Sequence, residues 1–277
     1  MSNPAITLRL YCSPSSVLAT LALFSFNPAF AQTVDPNLWV TNGSVEAVAC
    51  DGATIYVGGV FTKVGPAMGA GVPIDGASGA LPPSFPRVAG RVYAVASDGA
   101  GGWYIGGQFT GVGSASRSNL AHIAGDLSVT TWNPNASGAV RALAVSGSIV
   151  YAGGEFTSMG GQARGYIAAL DATSGAATSW NPNASGIVYS VAVGDSTVYA
   201  GGAFTSIGGQ ARGYIAALDT TSGAATPWDP NADSPVLALA VNGARVFAGG
   251  DFSFIGGLRR TYLASISRSS AAATSWN

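Results

Sequence analysis

The residues that can do chemistry are few in this chain of 277. There is one histidine, His122, and the cysteines are Cys12 and Cys50. A serine–histidine–aspartate relay needs a nucleophile held beside a base. Nothing resembling the sharp strand–turn–helix setting of such a nucleophile surrounds any serine. Zinc needs clustered His, Cys or acid ligands at recognised spacings, and the sequence has none. It also has no acidic calcium loop and no phosphate-cradling glycine motif. The expectation is no catalytic residue, no cofactor and no metal site.

Two residue sets nonetheless occupy interesting positions. Glu155 and Asp251 share one slot of a recurring "GGxFT" or "GGxFS" motif, where Val60, Gln108 and Ala203 stand elsewhere. Two carboxylates about 5–10 Å apart can hydrolyse a glycosidic bond, so this pair is the candidate for an acid–base role. The bland alternative is solvated acids or partners of arginine. Arg117, Arg164, Arg212 and Arg260 recur at another slot. A ring of guanidinium groups can grip an anionic ligand such as an acidic glycan. A residue repeated in every unit is more simply structural, held by backbone carbonyls, because a specific site usually breaks symmetry.

The elements that position these residues repeat. The Gly doublet followed by x-Phe-Thr/Ser occurs at Gly58, Gly106, Gly153, Gly201 and Gly249, in steps of 48, 47, 48 and 48. Trp132, Trp180, Trp228 and Trp276 keep the same step; Phe85 holds the place in the first unit, and Trp39 lies one step earlier. Each unit reads as four short strands. The first is "VEAVAC", "VYAVAS", "VRALAV", "VYSVAV" or "VLALAV". Cys50 takes the slot of Val145, Val193 and Val241, which predicts a core residue. The second strand carries Tyr56, Tyr104, Tyr151, Tyr199 or Phe247 and ends in the Gly doublet, where chains are expected to crowd.

The third strand is "YIAALD" in the third and fourth units. Asp171–Gly175 and Asp219–Gly223 then predict tight turns, with Asp accepting backbone N–H groups and Gly in the left-handed position. The fourth strand ends at the Trp, and "NPN" turns the chain into the next unit. Four antiparallel strands per ~48 residues predict an all-β propeller, each sheet burying its faces against its neighbours. The units span about 45–91, 92–139, 140–187, 188–235 and 236–277. The strand count leaves the segment around Trp39 surplus to five complete units, which favours an incomplete or truncated ring over a closed one.

Composition agrees. Net charge is −1, only 9% of residues are charged, and Lys63 is the only lysine. Neither nucleic acid nor an anionic membrane surface is an expected partner. Residues 1–31 read as a signal peptide: Arg9, a short apolar stretch Val17–Phe24, and the small-x-small site Ala29–Ala31. That stretch is too short to span a bilayer as a helix. A secreted mature chain from Gln32, with no membrane span, is expected. Cys12 would leave with the signal, and Cys50 alone makes no intrachain disulfide.

The pattern carried by "VYAGGEFTSMGGQARGYIAALDATSGAATSWNPN" resembles the delta-sixty type of β-propeller repeat of large secreted bacterial proteins. The same grammar is similar to that of kelch blades and, more distantly, quinoprotein blades. The resemblance covers about Trp39–Asn277; the first unit lacks the Arg and the Trp. It implies an exported propeller with no catalytic residue to transfer. The function expected is a secreted or cell-surface non-catalytic binding and scaffold module with a protein or glycan partner. The competing readings are a lectin-like glycan binder and a propeller glycosidase or quinoprotein-like enzyme.

Overall fold

The computed structural model describes residues 44–51, 54–60, 71–79 and 85–276. The signal segment and Trp39 lie outside these residues, as does the side chain of Cys50. Among the described residues every regular element is a β-strand, and no helix is long and apolar enough to cross a membrane.

Each unit forms an antiparallel sheet. In the third unit Val140–Ser146 pairs with Ile149–Gly154, which pairs with Ile167–Asp171. The fourth unit repeats this with Val188–Gly194, Thr197–Gly202 and Ile215–Asp219. The fifth does so with Val236–Asn242, Arg245–Gly250 and Leu263–Ser267. The first unit pairs Ser44–Asp51, Thr54–Val60 and Gly71–Asp75. The second pairs Val88–Ser97, Trp103–Val112 and Leu120–Ile123.

Two details differ from the expectation. The fourth segment joins its sheet through a single isolated bridge, as at Leu170 with Ala177 and Leu218 with Ala225. The Asp171 N–H donates to the Ala176 carbonyl and the Thr178 N–H to the Ala169 carbonyl, whereas the Thr178 carbonyl accepts from Arg164. The second difference is an added element. The segment "TSMGGQAR" forms its own hairpin, Ser158–Met159 with Gln162–Ala163. Gly160 and Gly161 lie at its tip with φ of 59° and 77°. Both central residues of such a two-residue turn need positive φ, which Gly-Gly supplies.

The first strands pack on one another in chain order, from the first unit to the fifth. The apolar cores therefore lie between units. One core joins Tyr151, Ile167, Ala169 and Trp180 of the third unit to Val188, Val198, Phe204 and Leu218 of the fourth. The next joins Tyr199, Ile215 and Trp228 to Val236, Val246, Phe252 and Ile266. Burial of a large apolar side chain contributes about 1.5–3 kcal/mol, so most of a unit's stability is shared with its neighbour.

The Gly doublet is explained by two separate crossings. A Cβ on Gly153 would stand 2.6 Å from Val188 Cγ1, and one on Gly201 2.7 Å from Val236 Cγ1. The first Gly is thus the socket for the next unit's leading valine. A Cβ on the second, Gly154 or Gly202, would collide with the carbonyl of Ala139 or Ile187, where its own first strand begins.

Candidate functional site

Every first strand carries a β-bulge at the same place. The register shifts between Val45 and Ala47, Val92 and Ala94, Val140 and Ala142, Val188 and Ser190, and Val236 and Ala238. The residues inside the bulges are Glu46, Tyr93, Arg141, Tyr189 and Leu237. A bulge leaves one residue out of the ladder and re-aims its side chain. The valine before each bulge in the last four units is fully buried, whereas the bulged residues are half-buried or exposed. The fold thus holds a fixed frame and varies one presented residue per unit.

Neighbouring bulge residues interact across units. The Arg141 guanidinium lies 4.3 Å from the centre of the Tyr93 ring, a cation–π contact. Arg141 Nε and Nη2 donate to Glu155 Oε1 at 2.9 and 2.6 Å. Tyr93 donates its hydroxyl hydrogen to Gln108 Oε1 at 3.3 Å. The "GGxF" slot therefore lies beside the bulge, and together they form a polar and aromatic row at the convergence of the first strands. Glu155 is held by Arg141. Asp251 is exposed at the matching place of the fifth unit. Among the described residues no hydrogen bond or ion pair joins Glu155 to Asp251.

The arginine slot is built differently. Arg164 Nη1 and Nη2 donate to the carbonyls of Ala163 and Thr178 at 2.7 and 2.5 Å. Arg117 makes the same pair of bonds to Ser116 and Thr130, Arg212 to Ala211 and Thr226, and Arg260 to Arg259 and Thr274. Each guanidinium ties the small hairpin to the segment before the Trp. The four Nε–H groups are buried and without hydrogen-bond partners.

His122 is enclosed by its own unit. Its Nε2 lies 2.9 Å from Asp98 Oδ2 and its Nδ1 3.3 Å from Thr130 Oγ1, and Tyr104 stacks on the ring at 4.4 Å. The sequence of groups is threonine, histidine, aspartate. Thr130 Oγ1, however, accepts the Trp132 N–H, as Thr178, Thr226 and Thr274 do for their tryptophans in units with no histidine. Burial opposes ionisation of Asp98, but the amides of Ala100 and Gly102 and the His122 ring outweigh it and hold the carboxyl below its ordinary value.

The turn acids behave as their sequence context predicts. Asp171 Oδ1 accepts the Ser174 and Thr173 N–H groups and the Ser174 hydroxyl, and Asp219 repeats the set with Ser222 and Thr221. The Ser174 and Ser222 amides are the leading cause that lowers the two carboxyl pKa values.

A pocket of about 520 Å³ opens between the fourth and fifth units. Its lining includes Asp229, Asn231, Asp233, Phe254 and Ala271. Here the repeat is broken: Asp229, Asp233 and Phe254 stand where the preceding unit has Asn181, Ser185 and Ser206. Asp233 Oδ1 accepts the Ser253 and Phe254 N–H groups, and Asp229 lies 3.7 Å from Arg212 Nη1. Phe254 is exposed.

The bulge row went unread in the sequence, although a signal was present. The residue after the leading valine varies freely inside an otherwise uniform strand.

No protein-family model matches the chain, and no curated protein matches it. Solved structures do. The WD40 domain of Neurospora crassa Pan2 aligns with a TM-score of 0.56 at 13% identity, over 87% of this chain and 72% of that one. The dihydro-heme d1 dehydrogenase NirN, in complex with DHE, aligns with a TM-score of 0.51 at 15% identity, over 82% of this chain. This chain spans 46% of the NirN chain. At such identities the likeness speaks to fold alone: the chain has a β-propeller fold.

Proposed function

We propose that this chain is a non-catalytic binding and scaffold module, exported after removal of residues 1–31, that presents its bulge row to a partner. The observation that carries this reading is the row itself. Five bulges at one register hold Glu46, Tyr93, Arg141, Tyr189 and Leu237 on a frame whose other positions scarcely change. Loops and irregularities on a rigid scaffold are where binding residues gather.

The test replaces Tyr93, Arg141, Tyr189 and Leu237 by Ala together. The expected variant unfolds near the wild-type temperature and loses capture of whatever ligand the wild type takes from a glycan array or a panel of secreted proteins. A large loss of stability with unchanged capture would make the row structural and end this reading. A hydrolase activity abolished by Glu155→Gln and Asp251→Asn would overturn the non-enzyme part.

A lectin-like role is the second reading, favoured by the pocket between the fourth and fifth units. An exposed aromatic ring beside carboxylate acceptors suits a sugar, whose C–H face stacks while its hydroxyls donate. Phe254→Ala should then remove array binding that the row variant retains.

A further inference from the structure

The chain contains both halves of an interface that it uses between its units and leaves exposed on the first and last described units. At each of the four internal junctions, a fully buried valine seats on the first Gly of the preceding doublet: Val92 on Gly58, Val140 on Gly106, Val188 on Gly153 and Val236 on Gly201. Gly249 is the fifth such socket, and no valine of the described residues seats in it. The nearest atoms to a Cβ built there are 3.8 Å away, on Ala238 and Tyr262. Around this socket the apolar face is bare. Leu263 is 52% exposed, whereas its equivalents Ile167 and Ile215 are fully buried. Trp276 is 41% exposed, against 3% for Trp180. At the other end Val45, the first unit's leading valine, is 46% exposed, and Val48 is exposed beside it.

Among the described residues these two faces do not pack on each other. Packing between first strands runs in order from Ser44–Asp51 through to Val236–Asn242, and the described residues show no comparable packing of the first of these on the last. We propose that the occupant of the Gly249 face is the Val45 edge of a second copy of this chain, giving head-to-tail association. The internal junctions supply the template for it. Val45 would seat on Gly249 as Val236 seats on Gly201, and the second copy's first sheet would cover Leu263 and Trp276 as the fifth covers Ile215 and Trp228. Such a contact is heterologous, so it propagates into larger assemblies unless the curvature closes a ring.

The geometry allows a decisive experiment. Val45→Glu spoils only the valine edge, and Leu263→Glu spoils only the socket face. Both positions are about half exposed, so the charges are tolerated by the isolated fold. Sedimentation velocity over a concentration series should show the purified wild-type chain growing beyond a dimer. Each single variant should sediment as a monomer. A one-to-one mixture of the two should form a dimer and nothing larger, because the Val45→Glu chain retains an intact socket and the Leu263→Glu chain an intact valine edge. A wild type that stays monomeric at high concentration overturns the proposal, and protection of Leu263 in that monomer would assign the face to the chain's own N-terminal segment. Association that survives either single variant, or a mixture that stays monomeric, would overturn it as well.

Discussion

Val236 Cγ1 lies 2.7 Å from where a Cβ on Gly201 would stand. The junction therefore admits a valine only because the facing residue has no side chain. Gly201→Ala, and likewise Gly153→Ala, should destabilise by about 1–3 kcal/mol, the usual effect of forcing a methyl into a packed core. At Gly249 the same change meets only ordinary van der Waals contacts, 3.8 Å from Ala238 and Tyr262, and should move stability by no more than about 0.5 kcal/mol. Denaturant midpoints of the three variants, measured in dilute solution, check the contrast.

Trp180 donates its indole N–H to the Asp219 carbonyl of the next unit at 2.9 Å, as Trp132 does to Asp171 and Trp228 to Ser267. Trp180→Phe keeps most of the buried ring and loses that bond, an expected cost of about 1 kcal/mol. Trp180→Ala should cost about 3–5 kcal/mol. Thermal unfolding distinguishes a packing role from a surface platform, since a platform residue would leave both values near zero.

Arg164 is buried, with its guanidinium bonded to two carbonyls of its own unit. Arg164→Gln should cost about 1.5–3 kcal/mol for each charge-assisted bond not replaced. Unchanged stability together with lost affinity for an acidic glycan would return the arginine row to the ligand-binding role.

Acid should weaken the protein in part through Asp98. Its folded-state pKa lies below the ordinary carboxylate value, so its stabilising effect is fully present above the unfolded pKa of about 3.9. That effect is lost as pH falls through the lower folded value. Asp171 and Asp219 shift in the same direction. Urea midpoints between pH 6 and pH 2 should fall with acid, and Asp98→Asn should flatten that limb.

Ala271 has φ of 59°, where Gly175 and Gly223 hold the same turn position at 75°. A left-handed alanine costs about 1–2 kcal/mol. Ala271→Gly should raise the melting temperature, part of the gain being offset by greater freedom of the unfolded chain. A lowered melting temperature would refute the assignment of strain here.

What was legible in the sequence followed from period. Valine, the Gly doublet, Asp-turn and Trp recur at ~48 residues, and a repeated unit that cannot bury both sheet faces alone must stack. The roles of Asp171, Gly175 and the crowded doublet were readable because each depends on local backbone geometry. The same reading overestimated the fourth strand, whose Thr178 carbonyl goes to the Arg164 guanidinium, a long-range contact that local pattern does not reveal. It also passed over the hairpin at Gly160–Gly161, whose register only the paired backbone reveals.

Tertiary structure decided what the residues face. A bulge is a mismatch between two strands, so no single strand could announce that Tyr93 and Arg141 are the presented residues and their neighbours the frame. Arg164 and Glu155 look alike in sequence as repeated or slotted charges. Folding gives one to backbone carbonyls and the other to Arg141. Likewise Ile215 and Leu263 hold equivalent places in the repeat, yet one is covered and the other bare. The sequence by itself determined the unit, because local propensity and period suffice for it. Only the stacking of unit on unit decided which surfaces are core, which are display and which remain open.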